Sequence, residues 1–595
     1  MNQTNQTNKP NKFNKTKWIA IIVIILWMIC AWILTVVNNN AHAATPVDLN
    51  RQPISFLSNI AAPTAIANSA ITLKEINRSV DFNQTLHIRV QEMYFDYPVW
   101  GGDAIIHIPQ GEKLTQTLNA QSLLSIARSA QQQQGSMNGV MYLNIAPDVA
   151  RTNAIIFNQL QAQKALQQAL NLYQQQMHAM MTIKNPTIQL IIYIDKNHRA
   201  HWAYKINFFA WVPGRRGVPA SPIYILDAMT FYVYAYWNDL KTIATTTAAT
   251  TTRENVLAGG YGGNNKMGKL SYDGKSGSNH LSKLFMQRDP ATKTCFFQNA
   301  NANIKKCVIN NTDCLETIDF TLFCSEPHPG YDNIYWNGSL DAVNGGYSPS
   351  NDALFNTSVV NAMYQQWYGV SALANHIPLI AVVHLPIDDA YWYQQQIYIG
   401  DGKNTFYPLT SLAVTAHEAA HGFTEQYSNL NMLGSESGAI NEAFADMAAK
   451  AAEFYVYKKD LHWEIAPEIF KATNKALRYM DKPSKNCYGG EPGIGCSIDH
   501  VDQMEEEGID AHFASGIYDR AFYLLSTSPN WTTQKAFNVM TKANMQYWTA
   551  SESFASGACG VIKATHDYAK TDSTYKVTDV ESAFAMVGVA TSQCM

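Results

Sequence analysis

Thr415–Lys450 reads TAHEAAHGFTEQYSNLNMLGSESGAINEAFADMAAK. It holds the HExxH pattern His417-Glu418-Ala419-Ala420-His421, followed by Asn441-Glu442 and Asp446. On a helix, histidines at i and i+4 project from one face and both reach a single metal ion. Glu418 follows the first histidine and is placed to face water at such an ion without ligating it. Glu442 is the candidate third ligand, completing the His₂Glu set of a catalytic zinc site with one position left for water. Asp446 lies one helical turn beyond, where a carboxylate accepts the free ring N–H of a ligating histidine. The plainer alternative is a surface helix with two solvated histidines. Leu412, Ala413, Val414, Ala416, Ala419 and Ala420 argue against it, because a helix apolar nearly all round is buried. A buried glutamate beside two histidines needs partners or a metal.

The surrounding chain has 595 residues, too many for one core, so several domains are expected. Hydrophobic content of 47% and charge of 15% fit a globular protein. A net charge of −4, with no basic patch or nucleic-acid motif, gives no case for nucleic acid as a partner. Lys9, Lys12, Lys15 and Lys17 precede an apolar run from Trp18 to Val37 and then Ala41-His42-Ala43. That is the layout of a secretory signal peptide cleaved after Ala43; an uncleaved membrane anchor is the competing reading. Either way the body is expected outside the cytoplasm. Apart from Cys30, the cysteines form an even set: Cys295, Cys307, Cys314, Cys324, Cys487, Cys496, Cys559 and Cys594. In an exported chain such a set suggests disulfides, and proximity makes 307–314 and 487–496 natural short loops.

Residues 87–108 alternate like strands, and Gly101-Gly102 predicts a hairpin turn. Ser122–Gln134 and Asn153–Met181 read as helices, and Pro186–Phe209 and Tyr224–Trp237 as strands. Ile243–Thr252 is a Thr/Ala stretch expected to be an exposed linker. A Gly- and Asn-rich region with short strands then runs to about residue 410, and the chain beyond it is mainly helical. Helices are expected over 412–427, 439–457, 513–526 and 534–549. With the HExxH helix at the join, the metal falls in a cleft between a β-rich and an α-rich half. Asp510-Ala511-His512 alone reads as a surface histidine beside a chance acid. Arg478 alone reads as half of an ion pair with Asp481.

Together these residues carry a resemblance. HEAAHGFTEQ, SGAINEAFADMA, KALRYMDKPS and GIDAHFASGIYDRAFYLLSTSPNW resemble the thermolysin family of zinc endopeptidases, and most of all its pseudolysin branch. FYPLTSLAVTAHE, DDAYWYQQQIYIGDG and SGACGVI are similar to that branch, and GGNNKMGKLSYDG resembles its mature N-terminus. Residues from about 70 to 115 resemble the fungalysin/thermolysin propeptide motif, and those from about 145 to 240 a PepSY domain. The implied order is signal peptide or anchor (1–43), two-lobed α+β propeptide (44–255, with linker 243–255), β-rich catalytic subdomain (256–410) and α-helical subdomain (411–595).

The resemblance implies a monomeric, secreted zinc endopeptidase acting on polypeptides and restrained by its own propeptide, which also assists folding. It makes His417, His421 and Glu442 zinc ligands, Glu418 the general base, and Asp446 the carboxylate behind His417. His512, with Asp510, becomes the stabiliser of the tetrahedral intermediate. Arg478 binds a substrate carbonyl, and Asp389 and Ala390 belong to a substrate-binding motif. Phe406, Leu409, Val414, Ile465, Ile469 and Leu477 line an apolar S1′ pocket, favouring cleavage before Leu, Phe, Ile or Val. It pairs Cys295 with Cys324 and Cys559 with Cys594, leaving 307–314 and 487–496 as extra bonds. Self-cleavage is expected before Val256 or Leu257.

This chain also departs from the family pattern. Met432 stands where the family has a tyrosine that donates to the oxyanion, and Asp389 stands where it has an asparagine. Family calcium ligands fall on Ala413 and Lys450, with only Glu453 and Asp460 retained, so the calcium site is expected to be lost, with Lys450 pairing Glu453 or a neighbour instead. Met432 and Asp389 motivate one rival reading, a catalytically weakened peptide-binding relative, and the long apolar run motivates another, a protease anchored at the envelope.

Overall fold

The computed structural model describes residues 44–51, 70–109, 136–149, 157–177, 182–211, 220–239, 253–310, 313–373, 377–432, 435–504 and 509–594. The N-terminal apolar run, the helix expected at Ser122–Gln134 and the linker Ile243–Thr252 fall outside them. Among the described residues, no helix is long and apolar enough to cross a membrane.

The N-terminal unit is built on a nine-stranded sheet. Its first half holds the hairpin of Thr85–Tyr94 and Tyr97–Pro109. The turn is made by Phe95 and Asp96, both left-handed (φ 46° and 65°), and not by Gly101-Gly102 as the glycine signal suggested. Those glycines lie inside the second strand. A Cβ on Gly102 would come within 2.6 Å of the Glu92 carboxylate, so the glycine makes room for a buried side chain rather than for a turn. The second half packs four strands (182–194, 200–211, 222–227 and 233–238) against helix Gln159–Met177. Ala162, Ala165, Ala169 and Tyr173 form its buried stripe, at the i, i+3, i+7 spacing of an amphipathic helix. The two halves join where Val99 pairs with Ile192.

The β-rich half that follows has two five-stranded sheets. Glu254–Gly259 lies in the first, antiparallel to Leu284–Asp289, and Ala390–Tyr393 is the edge strand of the second. Between them runs a helix absent from the sequence expectation, Pro349–Tyr368. Its Asn351, Asn356 and Asn361 are buried and donate to the carbonyls of Tyr261, Thr410 and Asn301, so it shows no apolar stripe to read. The helical half holds Leu412–Gln426, Ser435–Tyr457, Gly516–Ser526 and Thr533–Gln546, close to expectation, plus Phe554–Ala569 and Val577–Ala585. Alanines on the first two of these helices (Ala416, Ala419, Ala420, Ala439, Ala443) are fully buried in the shared core. Four disulfides close as expected: 295–324, 307–314, 487–496 and 559–594.

Lys450 is among the largest fully buried side chains and pairs with Glu453. Its ammonium also lies 3.3 Å from the Glu464 carbonyl. Removing one partner of a buried pair costs about 3–5 kcal/mol, so Lys450→Met should lower unfolding stability by roughly that amount. Burial already pushes the Glu453 carboxyl up despite Lys450. Without the lysine its folded value rises further above the unfolded one, so the loss grows with pH above the ordinary carboxylate range. Denaturant titrations at pH 5 and 8 check this: an equal loss at both would show that Glu453 keeps its charge without Lys450.

Candidate metal centre

Ser411 caps the HExxH helix by accepting from the Val414 N–H at 3.2 Å. From this start, residues 413–424 are all buried, with His417 and His421 on one face. A Cβ on Gly422 would meet the Trp392 ring at 2.4 Å, so this glycine lets the helix press onto the edge strand Ala390–Tyr393. The parallel pressure on the other side comes from Ser435–Tyr457, which carries Asn441, Glu442 and Asp446.

The two imidazoles are oriented from behind. His417 donates through Nδ1 to Asp446 at 2.8 Å, and His421 through Nδ1 to the Asn441 oxygen at 3.0 Å. The amide of Asn441 in turn donates to the Leu430 carbonyl at 3.0 Å, which fixes which end is the acceptor. Both Nε2 atoms therefore turn their lone pairs to one spot and lie 3.2 Å apart. Glu442 faces them at 3.5 and 3.6 Å, and its buried Oε2 accepts no hydrogen bond. Three convergent donors within 4.8 Å of one another, one an orphaned carboxylate oxygen, fit a zinc ion held by His417, His421 and Glu442. Zinc there supplies a Lewis-acid charge that polarises a carbonyl and acidifies water. Asn441 is a second orienting residue that sequence reasoning did not identify; its place just before Glu442 was the only signal.

The charges around this spot are strongly coupled. Burial lowers His417, but Asp446 and Glu442 outweigh it and hold the imidazole up at about 10. Burial raises Glu442, but His512, His421 and His417 bring it well below the usual carboxylate range. Glu418 is pushed up by burial to about 7, within reach of neutral pH for proton transfer. Glu442, before any loss from burial, lifts His512 to about 9, and Asp510 adds to this through a 2.8 Å bond to Nδ1. Arg478 grips both oxygens of Asp446, so its partner is Asp446 and not Asp481. Asp389 is pushed up by burial to about 6 and accepts from the Ala390 N–H at 2.8 Å.

A cavity of about 430 Å³ opens over the centre. Phe406, Leu409, Val414, Ile465 and Leu477 give its apolar wall, and Asp389, Ala390, Glu418, Arg478 and His512 its polar features. Ile469 does not line it; this fully buried side chain belongs to the core, and its carbonyl accepts from Tyr407. Met432 does line it, and so does Asn238, from the last strand of the N-terminal unit. Nothing local to Asn238 signals that position.

The chain matches two family models: "Thermolysin metallopeptidase, catalytic domain" over residues 274–425 and "Thermolysin metallopeptidase, alpha-helical domain" over residues 428–589. It is 36% identical over 565 residues to the zinc metalloproteinase MspA of Legionella longbeachae, covering 93% of this chain and 96% of that one. It is 35% identical over 577 residues to a zinc metalloproteinase of Legionella pneumophila (93% and 95% covered). To the neutral protease of Vibrio proteolyticus it is 32% identical over 550 residues (91% and 81%).

If Asp446 orients His417, Asp446→Asn should weaken zinc binding about 10- to 100-fold, measured by competition with a chelating dye. An unchanged dissociation constant would mean that Asp446 serves only Arg478.

Proposed function

We propose that this chain, which belongs to the thermolysin family of metallopeptidases and is a zinc metalloendopeptidase, is exported and made as a self-processing precursor that cuts before large apolar residues. The apolar wall of Phe406, Leu409, Val414, Ile465 and Leu477 beside the metal-ligand cluster carries the specificity. A Leu, Phe, Ile or Val side chain seated there places the bond on its amino side over Glu418. Glu418 takes the proton of the attacking water and later hands it to the leaving amine. His512, cationic beside Asp510, donates to the oxyanion, an effect worth about 3–4 kcal/mol for one donor. Arg478 holds a substrate carbonyl and also fixes Asp446.

Met432 offers no donor to the oxyanion, so His512 carries that duty on the protein side. Asp389 accepts from a substrate N–H but adds a carboxyl near Glu418. Turnover slower than a tyrosine- and asparagine-bearing site would give is the expected result, with the chemistry intact. Lys450 fills the place of a calcium ligand, and stability is expected not to depend on calcium.

Residues 44–255 act as the prosegment, supported by Asn238 in the cavity and by Met432 packing beside Ile191, Ile223 and Trp237. The bonds before Val256 and Leu257 lie in a strand paired with Met286 and Phe285. Glu254, just upstream, is tied to Arg288 at 2.7 Å. Cutting there therefore requires this strand to peel from its neighbour first. Export rests on the basic, apolar and Ala-x-Ala order of the first 44 residues.

Purified processed protein should hydrolyse casein, stop with chelator and recover with zinc. Glu418→Ala should lower kcat about 100- to 10,000-fold while retaining zinc, and should accumulate uncut precursor. Normal processing of that variant in a protease-free host would rule out self-cleavage. Peptides differing only at P1′ should rank Leu and Phe far above Asp; a flat profile would remove the pocket's role. A melting temperature that climbs with added calcium at saturating zinc would overturn the calcium reading.

A further inference from the structure

Strands 85–94 and 97–109 set His87 directly opposite His107. Their Nδ1 atoms are 2.7 Å apart, so one ring must donate to the other. Asn138 decides which. Its amide nitrogen donates to the Tyr547 carbonyl of the helical half at 2.6 Å, so its oxygen accepts from His107 Nε2. His107 Nδ1 is then the acceptor and His87 Nδ1 the donor. The helical half closes over both rings, which are 3% and 4% exposed. The Tyr547 ring lies 5.1 Å from His107 and 6.1 Å from His87. Lys542 reaches across to Asp81 at 2.7 Å, and Asp81 lies 3.4 Å from His87 Nε2. Asp567 holds the other side of Lys542 at 3.2 Å. Nearby, Asp103 accepts from the Ala550 N–H at 3.1 Å, and Arg89 donates to the Trp548 carbonyl at 2.9 Å.

We propose that this seam is a proton-operated latch, which holds the N-terminal unit on the helical half at neutral pH and lets go as the pH falls below about 6.5. One added proton, on His87 Nε2, finds Asp81. A second, on His107 Nδ1, sets N–H against N–H across 2.7 Å with no acceptor. Burial lowers His87; burial, then the neighbouring His87, Lys563 and Lys542 charges, bring His107 well below its ordinary value. Undocking removes Tyr547 and Lys542 and lets water reach both rings, which then titrate normally. The docked state thus binds fewer protons than the undocked one, so docking is strongest above pH 6.5 and weakens below it. Two protons set a ceiling of about 100-fold per pH unit. Asp103 and Glu552, pushed up by burial, work in the opposite sense and reduce that slope. Asp81 and Asp567 are held down by their partners and stay charged.

The latch concerns the uncut chain and does not depend on the N-terminal unit being a removable prosegment. The test is hydrogen exchange of the full-length Glu418→Ala chain at pH 7.5 and 5.5, corrected for intrinsic rates. Protection across 547–552, where Ala550 bonds over the seam, should fall about 10- to 100-fold at the lower pH while helix 412–426 is unchanged. His107→Gln should flatten that fall. Lys542→Gln leaves the hairpin untouched, removes the facing cation and should move release to lower pH, so the proposal remains testable if His107→Gln does not fold. Equal protection at both pH values in the parent chain would overturn the latch, as would an identical fall in parent and both variants.

Discussion

Asp446 is completely buried, and its charge survives there because two partners share it. One oxygen takes the His417 N–H, and both oxygens take the Arg478 guanidinium. A lone buried carboxylate costs several kcal/mol, so these three groups stand or fall together. The consequence is geometric. Three separate segments, the HExxH helix, the helix carrying Glu442 and the short strand Arg478–Tyr479, are pinned at one point. Glu442 is one helical turn from that point and has no freedom to leave the histidines it faces. The candidate metal site thus follows from how a structural charge is satisfied, and Arg478 is set by the same bond.

The cleft follows from close approach of elements that have little bulk between them. Gly422 lets the HExxH helix lie against Trp392, and alanines let it lie against the Glu442 helix. The Lys450–Glu453 salt bridge sits against the same packed helices, where an ammonium neutralises a largely buried carboxylate.

The HExxH helix was legible because its chemistry repeats at helical spacing and its flanks are apolar on every side. Other parts were hidden for definite reasons. The helix Pro349–Tyr368 buries asparagines that bond to carbonyls of other segments, so its pattern carries no period. The hairpin turn uses Phe95 and Asp96 in a left-handed conformation that sequence reasoning assigns to glycine, whereas Gly102 is there for the sake of Glu92. His512 and Arg478 looked ordinary in their local sequence. The fold sets them against Glu442 and Asp446, dozens of residues away, and only the family resemblance pointed to them. Asn441 and Asn238 are of the same kind, since each matters through a partner in another segment.

Two of the contacts between the N-terminal unit and the rest of the chain differ in character. Its first half meets the helical half through His87, His107 and Asn138, a polar seam sensitive to charge. Its second half meets the cleft through Trp237, Asn238 and Met432, a contact that is largely apolar. The two halves of the sheet are joined by the Val99–Ile192 pair, and a cavity of about 240 Å³ lies beside that join. Around it Tyr94, Tyr97 and Val99 of the first half pack with Trp202 and Tyr204 of the second in one apolar core, which holds the halves together. Loss of the polar seam need not clear the cleft, where Met432 still has apolar partners. The two contacts are then separable: a change of charge acts on the seam without acting on the apolar contact.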